Sequence, residues 1–271
     1  MTATRGKDLA RQITVAVSAL LALVGGFIGS GAAGGTQIAD AADGALQTDT
    51  STIAPGGPAF AIWSVIYLGL AAYAVWQCLP GQREAARHRR LGYPIAASML
   101  LNAAWILSVQ AGSVFLSVVA IIALLVVLVI AFLIAVDTPS DGPVDAVVTD
   151  GTVGLYLGWV SVATIVNIAA WLADMGFDGG PLSPDAWGVV LALAAGVVGC
   201  GYALRSSGRV APTLSLCWGL AWVAFERITG EPESMPTAIA AIVAVVAVAA
   251  VTALTRVRSV ATAARREPLS T

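Results

Sequence analysis

VFLSVVAIIALLVVLVIAFLIAV, residues 114–136, is a run of twenty-three residues without a charged side chain, and Ser117 is its one polar member. A bilayer core about 30 Å thick takes roughly 20 residues of helix, so the run has the length of one membrane crossing. A helix is the form expected, because lipid offers no partner to a free backbone N–H or C=O.

The same reading extends outward in both directions. Apolar segments near Ile13–Ser30, Ala59–Gln77, Tyr93–Ser108, Val114–Val136, Val153–Leu172, Trp187–Leu204, Ala211–Phe225 and Thr237–Leu254 give about eight transmembrane helices. The fold class expected is all-α, a polytopic membrane helix bundle. Composition agrees: 58% of residues are hydrophobic, 11% are charged, and the mean hydropathy is +0.85. Soluble domains carry about 25% charged residues.

Charge placement orients the bundle. Arg5, Lys7 and Arg11 precede the first span, and Arg83, Arg87, Arg89 and Arg90 lie between the second and third. Arg205 and Arg209 follow the sixth, and Arg256, Arg258, Arg265 and Arg266 follow the eighth. All thirteen fall on one side of an eight-span chain, and only Arg227 falls on the other. The positive-inside rule makes that side the cytoplasm. The expectation is a multi-pass protein of the inner (plasma) membrane with both termini cytoplasmic. The fourth loop, Asp137–Asp150, carries four Asp and no base, but acidic residues weigh little in the rule. A basic start, an apolar run from Ile13 to Val24 and small residues after it also fit a signal peptide. Its removal would leave seven spans in the same orientation.

Several function classes lack support. The net charge is −2, so no nucleic-acid surface is indicated. The short basic clusters read as topology anchors that also meet anionic lipid. Cys78, Cys200 and Cys217 are scattered and give neither metal spacing nor a disulfide framework. His88, the single histidine, reads as a solvated residue of a basic loop. Without a Cys–His pairing or HExxH, hydrolase and metalloenzyme readings have little to stand on. No cofactor is called obligatory, and no metal site is expected. Glu226 and Arg227 read as interfacial, paired with each other or with headgroups. An ion-coupled pump normally places ionisable residues at membrane depth, and almost none is found there.

The loops divide the chain. Gly31–Gly57 is long, polar and outside, and fits either a lid over a cavity or a loose linker. Gln110–Gly112 forces a tight hairpin. Ala173–Asp185 contains Gly179, Gly180, Pro181 and Pro184, and marks a boundary. The division expected is a five-helix bundle over 1–173, three further helices over 186–256, and a tail over 257–271.

Polar and aromatic residues inside the spans point to a site. Trp63 and Tyr67 lie four apart on one helical face. Asn102 and Trp105 lie three apart. Tyr156 and Trp159 share a face, and Asn167 lies eight residues beyond Trp159. An Asn in hydrocarbon must be paired and faces protein, so Asn102 and Asn167 bring Trp105 and Trp159 inward. This fits a packed polar contact between helices, and it fits an aromatic pocket with a few polar handles. Gly25-x-x-x-Gly29 and Gly154-x-x-x-Gly158 permit close helix packing, within the bundle or between copies.

At these residues the chain resembles the tryptophan-rich sensory protein family, TspO, also called translocator protein or peripheral benzodiazepine receptor. Gly26–Ser30, GFIGS, is similar to the family's G-x-F-V-G-S. Phe60–Tyr67, FAIWSVIY, is similar to G-P-V-W-x-x-L-Y. Leu101–Trp105, LNAAW, matches L-N-x-x-W, and Tyr156–Asn167, YLGWVSVATIVN, is close to Y-L-A-W-L-A-F-A-T-T-L-N. The resemblance covers roughly residues 12–173 and makes the first five helices TspO-like. It implies a pocket for porphyrins such as protoporphyrin IX or haem, often in a homodimer, with Trp63, Tyr67, Asn102, Trp105, Tyr156, Trp159 and Asn167 as the ligand-binding residues. The chain departs from the family in three places. Ile53–Ala59 has prolines but no Trp before the second helix. Ile168–Asp174 lacks the Tyr and Arg of the sterol pattern. Three spans follow the family's usual end.

The expectation is therefore an integral membrane protein that binds a flat apolar ligand as a sensor, regulator or facilitator, with the bilayer and a small hydrophobic molecule as partners. The alternatives are a transporter of small hydrophobic molecules and, by the resemblance, a light-dependent porphyrin-degrading enzyme. No acid–base pair compels the enzymatic reading, so none of these residues is called catalytic.

Overall fold

The computed structural model describes residues 2–32, 36–38 and 40–266, with the side chains of 2–4 and 263–266 set aside. Three residues of the outer loop's first half, 33–35, residue 39, and the end of the expected tail lie outside the described residues. So do the side chains of Arg265 and Arg266.

Eight long helices make up the described chain: α1 Thr2–Gly29, α2 Ile62–Trp76, α3 Ala86–Gln110, α4 Val114–Asp137, α5 Gly142–Asp174, α6 Pro184–Arg205, α7 Val210–Thr229 and α8 Met235–Arg266. Seven are long and apolar enough to cross a membrane, by length and composition. The remaining one, α7, is diluted by Thr213, Ser215, Glu226 and Arg227, yet it lies inside the bundle with Leu216, Leu220 and Val223 fully buried.

Local chemistry sets the helix ends. The Ser113 hydroxyl accepts from the Leu116 N–H and starts α4, and the Ser183 hydroxyl accepts from Ala186 with Pro184 opening α6. Gly112, at φ 74°, makes the α3–α4 hairpin that the short connection requires. Helices α1, α3 and α8 run beyond their apolar cores. Helix α3 starts at Ala86 rather than Tyr93, and α8 continues past Leu254 through Arg266. Charged residues end the apolar runs but not the helices: in α1 and α3 Asp8, Arg11, Arg87 and His88 are buried in the protein, whereas Arg256 and Arg258 of α8 are exposed. Helix α5 carries a π-helical turn, Ala146–Gly151, a widening found frequently at functional sites.

Buried side chains form two apolar clusters. One joins α1–α5 around Ile66, Leu91, Met99, Leu124 and Trp159. The other joins α5–α8 around Ala192, Leu216, Val223, Ala241 and Val248, and takes in Ile53 and Ala54 of the outer loop. Both small-residue motifs pack inside the chain. Gly25 faces Ala103 and Gly29 faces Ile106. A Cβ on Gly158 would lie 2.2 Å from both the Pro212 carbonyl oxygen and the Ser215 hydroxyl. Close approach of α5 to α7 therefore depends on Gly154 and Gly158.

Candidate functional site

Helix α2 is entered through a 3₁₀ turn, Gly57–Ala61, with Pro58 at its start. This turn delivers Phe60, and the next turns of α2 deliver Trp63 and Tyr67. Trp63 is the hub. Its ring is stacked on Tyr67 (centroids 5.5 Å apart, planes at 24°) and on Trp105 (6.1 Å, 25°). It meets Tyr156 and Trp159 edge-on at 5.8 and 6.3 Å. These are the offset and edge-to-face arrangements that aromatic quadrupoles favour.

Hydrogen bonds fix the rings. Asn102 Nδ2 donates to the Tyr67 hydroxyl at 2.7 Å, and Trp105 Nε1 donates to Asn167 Oδ1 at 2.6 Å. Asn167 Nδ2 donates to Ser117 Oγ at 2.9 Å, and the Tyr156 hydroxyl donates to the Ser98 carbonyl at 3.3 Å. The structure thus brings all seven sequence-predicted residues together, with both Asn side chains buried and pointing inward. Trp159, 1% exposed, keeps its indole N–H without a partner among the described residues, as does Asn102 its Oδ1. Gly26 earns its place in the GFIGS motif because a Cβ there would lie 2.6 Å from the Tyr67 ring.

Two spaces flank the hub. A cleft of about 450 Å³ opens between α1, α2 and α3, lined by Gly26, Gln37, Phe60, Trp63, Tyr67 and Trp105. A second space of about 20 Å³, room for one water, lies on the Trp159 side, with Leu46, Pro55 and Asn167 in its walls. Phe60, Trp63 and Trp105 line both and form the partition. The larger volume falls in the range of small-molecule sites, about 300–1,000 Å³.

Sequence reasoning missed Phe60, Ser117, Leu46 and Pro55. Phe60 could have been found, since it lies three residues before Trp63 on the same face. Ser117 was legible too, as the one polar residue in the apolar run facing an Asn that needs a partner. Leu46 and Pro55 come from the loop and carried no signal.

Charged residues behave differently from the sequence expectation. His88 is not a solvated loop residue: it is 0% exposed, in the first turn of α3, with Nε2 3.0 Å from Gln82 Oε1 and its ring edge-on to Tyr73. Beside it, Arg87 pairs with Asp145 (Nε to Oδ2, 3.1 Å) and with Asp150, and Arg209, the residue just before α7, reaches Asp150 at 2.9 Å. Asp145 also accepts from Thr149 and from the Trp76 indole. These groups flank the π-helical turn and tie α2, α3, α5 and α7 together at the end of the bundle where α1 begins. Arg11 is buried there as well, donating to the Arg83 carbonyl. The basic clusters are thus partly internal ties rather than surface anchors, because acidic residues of the fourth loop supply their counter-charge. Arg227 is likewise not paired with headgroups or Glu226. It is 0% exposed and donates to the carbonyls of Thr48, Ser51, Glu231 and Pro232. Among the described residues, no group of His, Cys, Asp and Glu could hold a metal ion.

A family model described as TSPO-like protein matches residues 12–255. The match runs through α6, α7 and most of α8, well past residue 173, where the motif resemblance stops. No curated protein and no solved structure matches the chain.

Proposed function

Because the chain belongs to the TSPO-like protein family, we propose that it is a membrane ligand-binding protein whose site is the cleft beside Trp63, Tyr67 and Trp105, and that its ligand is a flat apolar molecule of the tetrapyrrole type. The observation that carries this reading is the cleft itself: about 450 Å³, walled by stacked aromatic faces and closed at one side by Gly26 and Gly29. A macrocycle gains by laying its face on such rings, and Gln37, Ser30 and Ser64, also in the cleft lining, offer hydrogen bonds to its polar edge. The lining residues include no His, Cys or Met, and the Tyr67 hydroxyl already accepts from Asn102. A haem iron would gain no ready axial ligand here, so the metal-free porphyrin is the better fit. The role is sensing or facilitated passage, in the inner membrane, with the basic end and both termini in the cytoplasm.

The test is a protoporphyrin IX titration of the purified protein in detergent, read by Trp fluorescence quenching and Soret absorbance. Saturable micromolar binding that Trp63→Phe plus Trp105→Phe, both in the cleft wall, weakens at least about tenfold is the expected result. No saturable binding, or binding untouched by the double variant, would overturn the proposal. Illumination of the bound complex separates a binder, which leaves the Soret band intact, from a light-dependent degrading enzyme, which bleaches it.

A further inference from the structure

The segment that carries Phe60 and roofs the aromatic site is held from the far half of the chain. Arg227, in the last turn of α7, sends Nη2 to the Thr48 carbonyl at 2.7 Å and Nη1 to the Ser51 carbonyl at 3.3 Å. The same guanidinium donates to the Pro232 and Glu231 carbonyls at 2.9 and 3.2 Å, on the connection into α8. Among the described residues no carboxylate lies in ion-pair contact with it; backbone carbonyls of two loops accept from Nη1 and Nη2 of this buried cation, and its Nε has no partner among the described residues. Burying a charge is costly unless its donors are paired, so the four carbonyl bonds carry its accommodation.

Three further bonds run the same way. Thr52 Oγ1 donates to the Pro184 carbonyl at 2.9 Å, Gly56 N–H donates to the Trp222 carbonyl at 3.3 Å, and Trp218 Nε1 donates to the Ala59 carbonyl at 2.9 Å. Between these ties Ile53 and Ala54 are buried in the α5–α8 core. The tied segment then runs directly into Gly57 and Phe60, which line the cleft, while Leu46 and Pro55 line the smaller space.

We propose that Arg227 is a positioning residue for the aromatic site: through it, and through Trp218 and Trp222, helices α6–α8 fix the loop that sets Phe60 and Trp63. This rests on the reading that the cleft binds a ligand, but its first test does not require one. Hydrogen exchange read by mass spectrometry would be compared across wild type, Arg227→Met and Arg227→Lys in detergent. Loss of charge-assisted bonds at a buried site should raise exchange in residues 46–56 about tenfold or more in Arg227→Met, with α3 and α4 unchanged. Arg227→Lys, which keeps the charge but cannot span four carbonyls, should fall between. Protoporphyrin IX should leave Arg227→Met about tenfold faster. If Arg227→Met does not fold, Trp218→Phe and Thr52→Val remove single ties at less buried cost and should each raise exchange in the same segment. Unchanged exchange in residues 46–56 of a folded Arg227→Met, or of both substitute variants, would overturn the proposal. Wild type that binds no porphyrin would overturn the ligand reading and leave the exchange result to decide the positioning.

Discussion

Replacing Asn167 by Leu separates the hydrogen-bond network from the packing around it. Leu keeps the side-chain branching of Asn with bulkier methyl groups, so no cavity is left, and the double-mutant cycle cancels the packing cost that Leu adds. The change removes the acceptor of the Trp105 indole N–H, now bonded at 2.6 Å, and the donor to Ser117 Oγ. Ser117 keeps its bond to the Val114 carbonyl at 2.7 Å, so the net loss is one orphaned N–H on a buried Trp. An unsatisfied buried donor costs about 1–3 kcal/mol. In a membrane protein the unfolded reference also finds partners, and interhelical bonds measured by double-mutant cycles average about 0.6 and reach about 1.7 kcal/mol. The short bond places this pair at the upper end, so Asn167→Leu should cost about 1–2 kcal/mol. Trp105→Phe removes the same bond from the other side. The two losses should therefore not add, with a coupling of about 1 kcal/mol. Reversible unfolding in mixed micelles, followed by circular dichroism, measures all four corners of the cycle. Additivity within about 0.3 kcal/mol would mean that the bond contributes nothing and that the ring is positioned by packing alone.

Gly158→Ala should destabilise the chain by at least about 1–3 kcal/mol in the same assay, because its Cβ meets a backbone oxygen at 2.2 Å and α5 must part from α7. Gly26→Ala drives a methyl into the Tyr67 ring, 2.6 Å away. It should weaken protoporphyrin binding in the fluorescence titration while changing the unfolding midpoint little. Arg87→Met leaves buried Asp145 without its cation and should cost about 3–5 kcal/mol. Adding Asp145→Asn should recover part of that loss, and an equal or larger loss in the double variant would count against the ion pair.

Helix number, order and the inward direction of the site residues were legible because lipid imposes them. A run such as Val114–Val136 has no alternative to a helix, and Asn102 and Asn167 had nowhere to face but inward. Buried ionic contacts were not legible. Arg87 and His88 stand in a stretch with the composition of a solvated loop, and only the fold shows that Asp145 and Asp150, some sixty residues later, meet them. Arg227 failed for a related reason, because its partners are backbone carbonyls, which every residue has and no pattern marks. The roles of Leu46 and Pro55 were hidden in the same way. A loop residue reaches the site by where its segment is tethered, and those tethers lie more than 130 residues further along the chain, at Pro184, Trp218 and Trp222.

The seating of Pro212 and Ser215 against Gly154 and Gly158 bears on copy number. Helix pairs drawn from separate polypeptides come apart as a membrane is enriched in lipid or as expression falls. A pair carried on one polypeptide does not, since the connecting segments hold the partners at an effective concentration of the order of millimolar. The small-residue face of α5 is thereby saturated at every abundance, and a second copy of the protein must associate through some other surface. What reaches Phe60 through α7 is accordingly a first-order property of the single polypeptide, the same in a cell holding ten molecules as in one holding ten thousand.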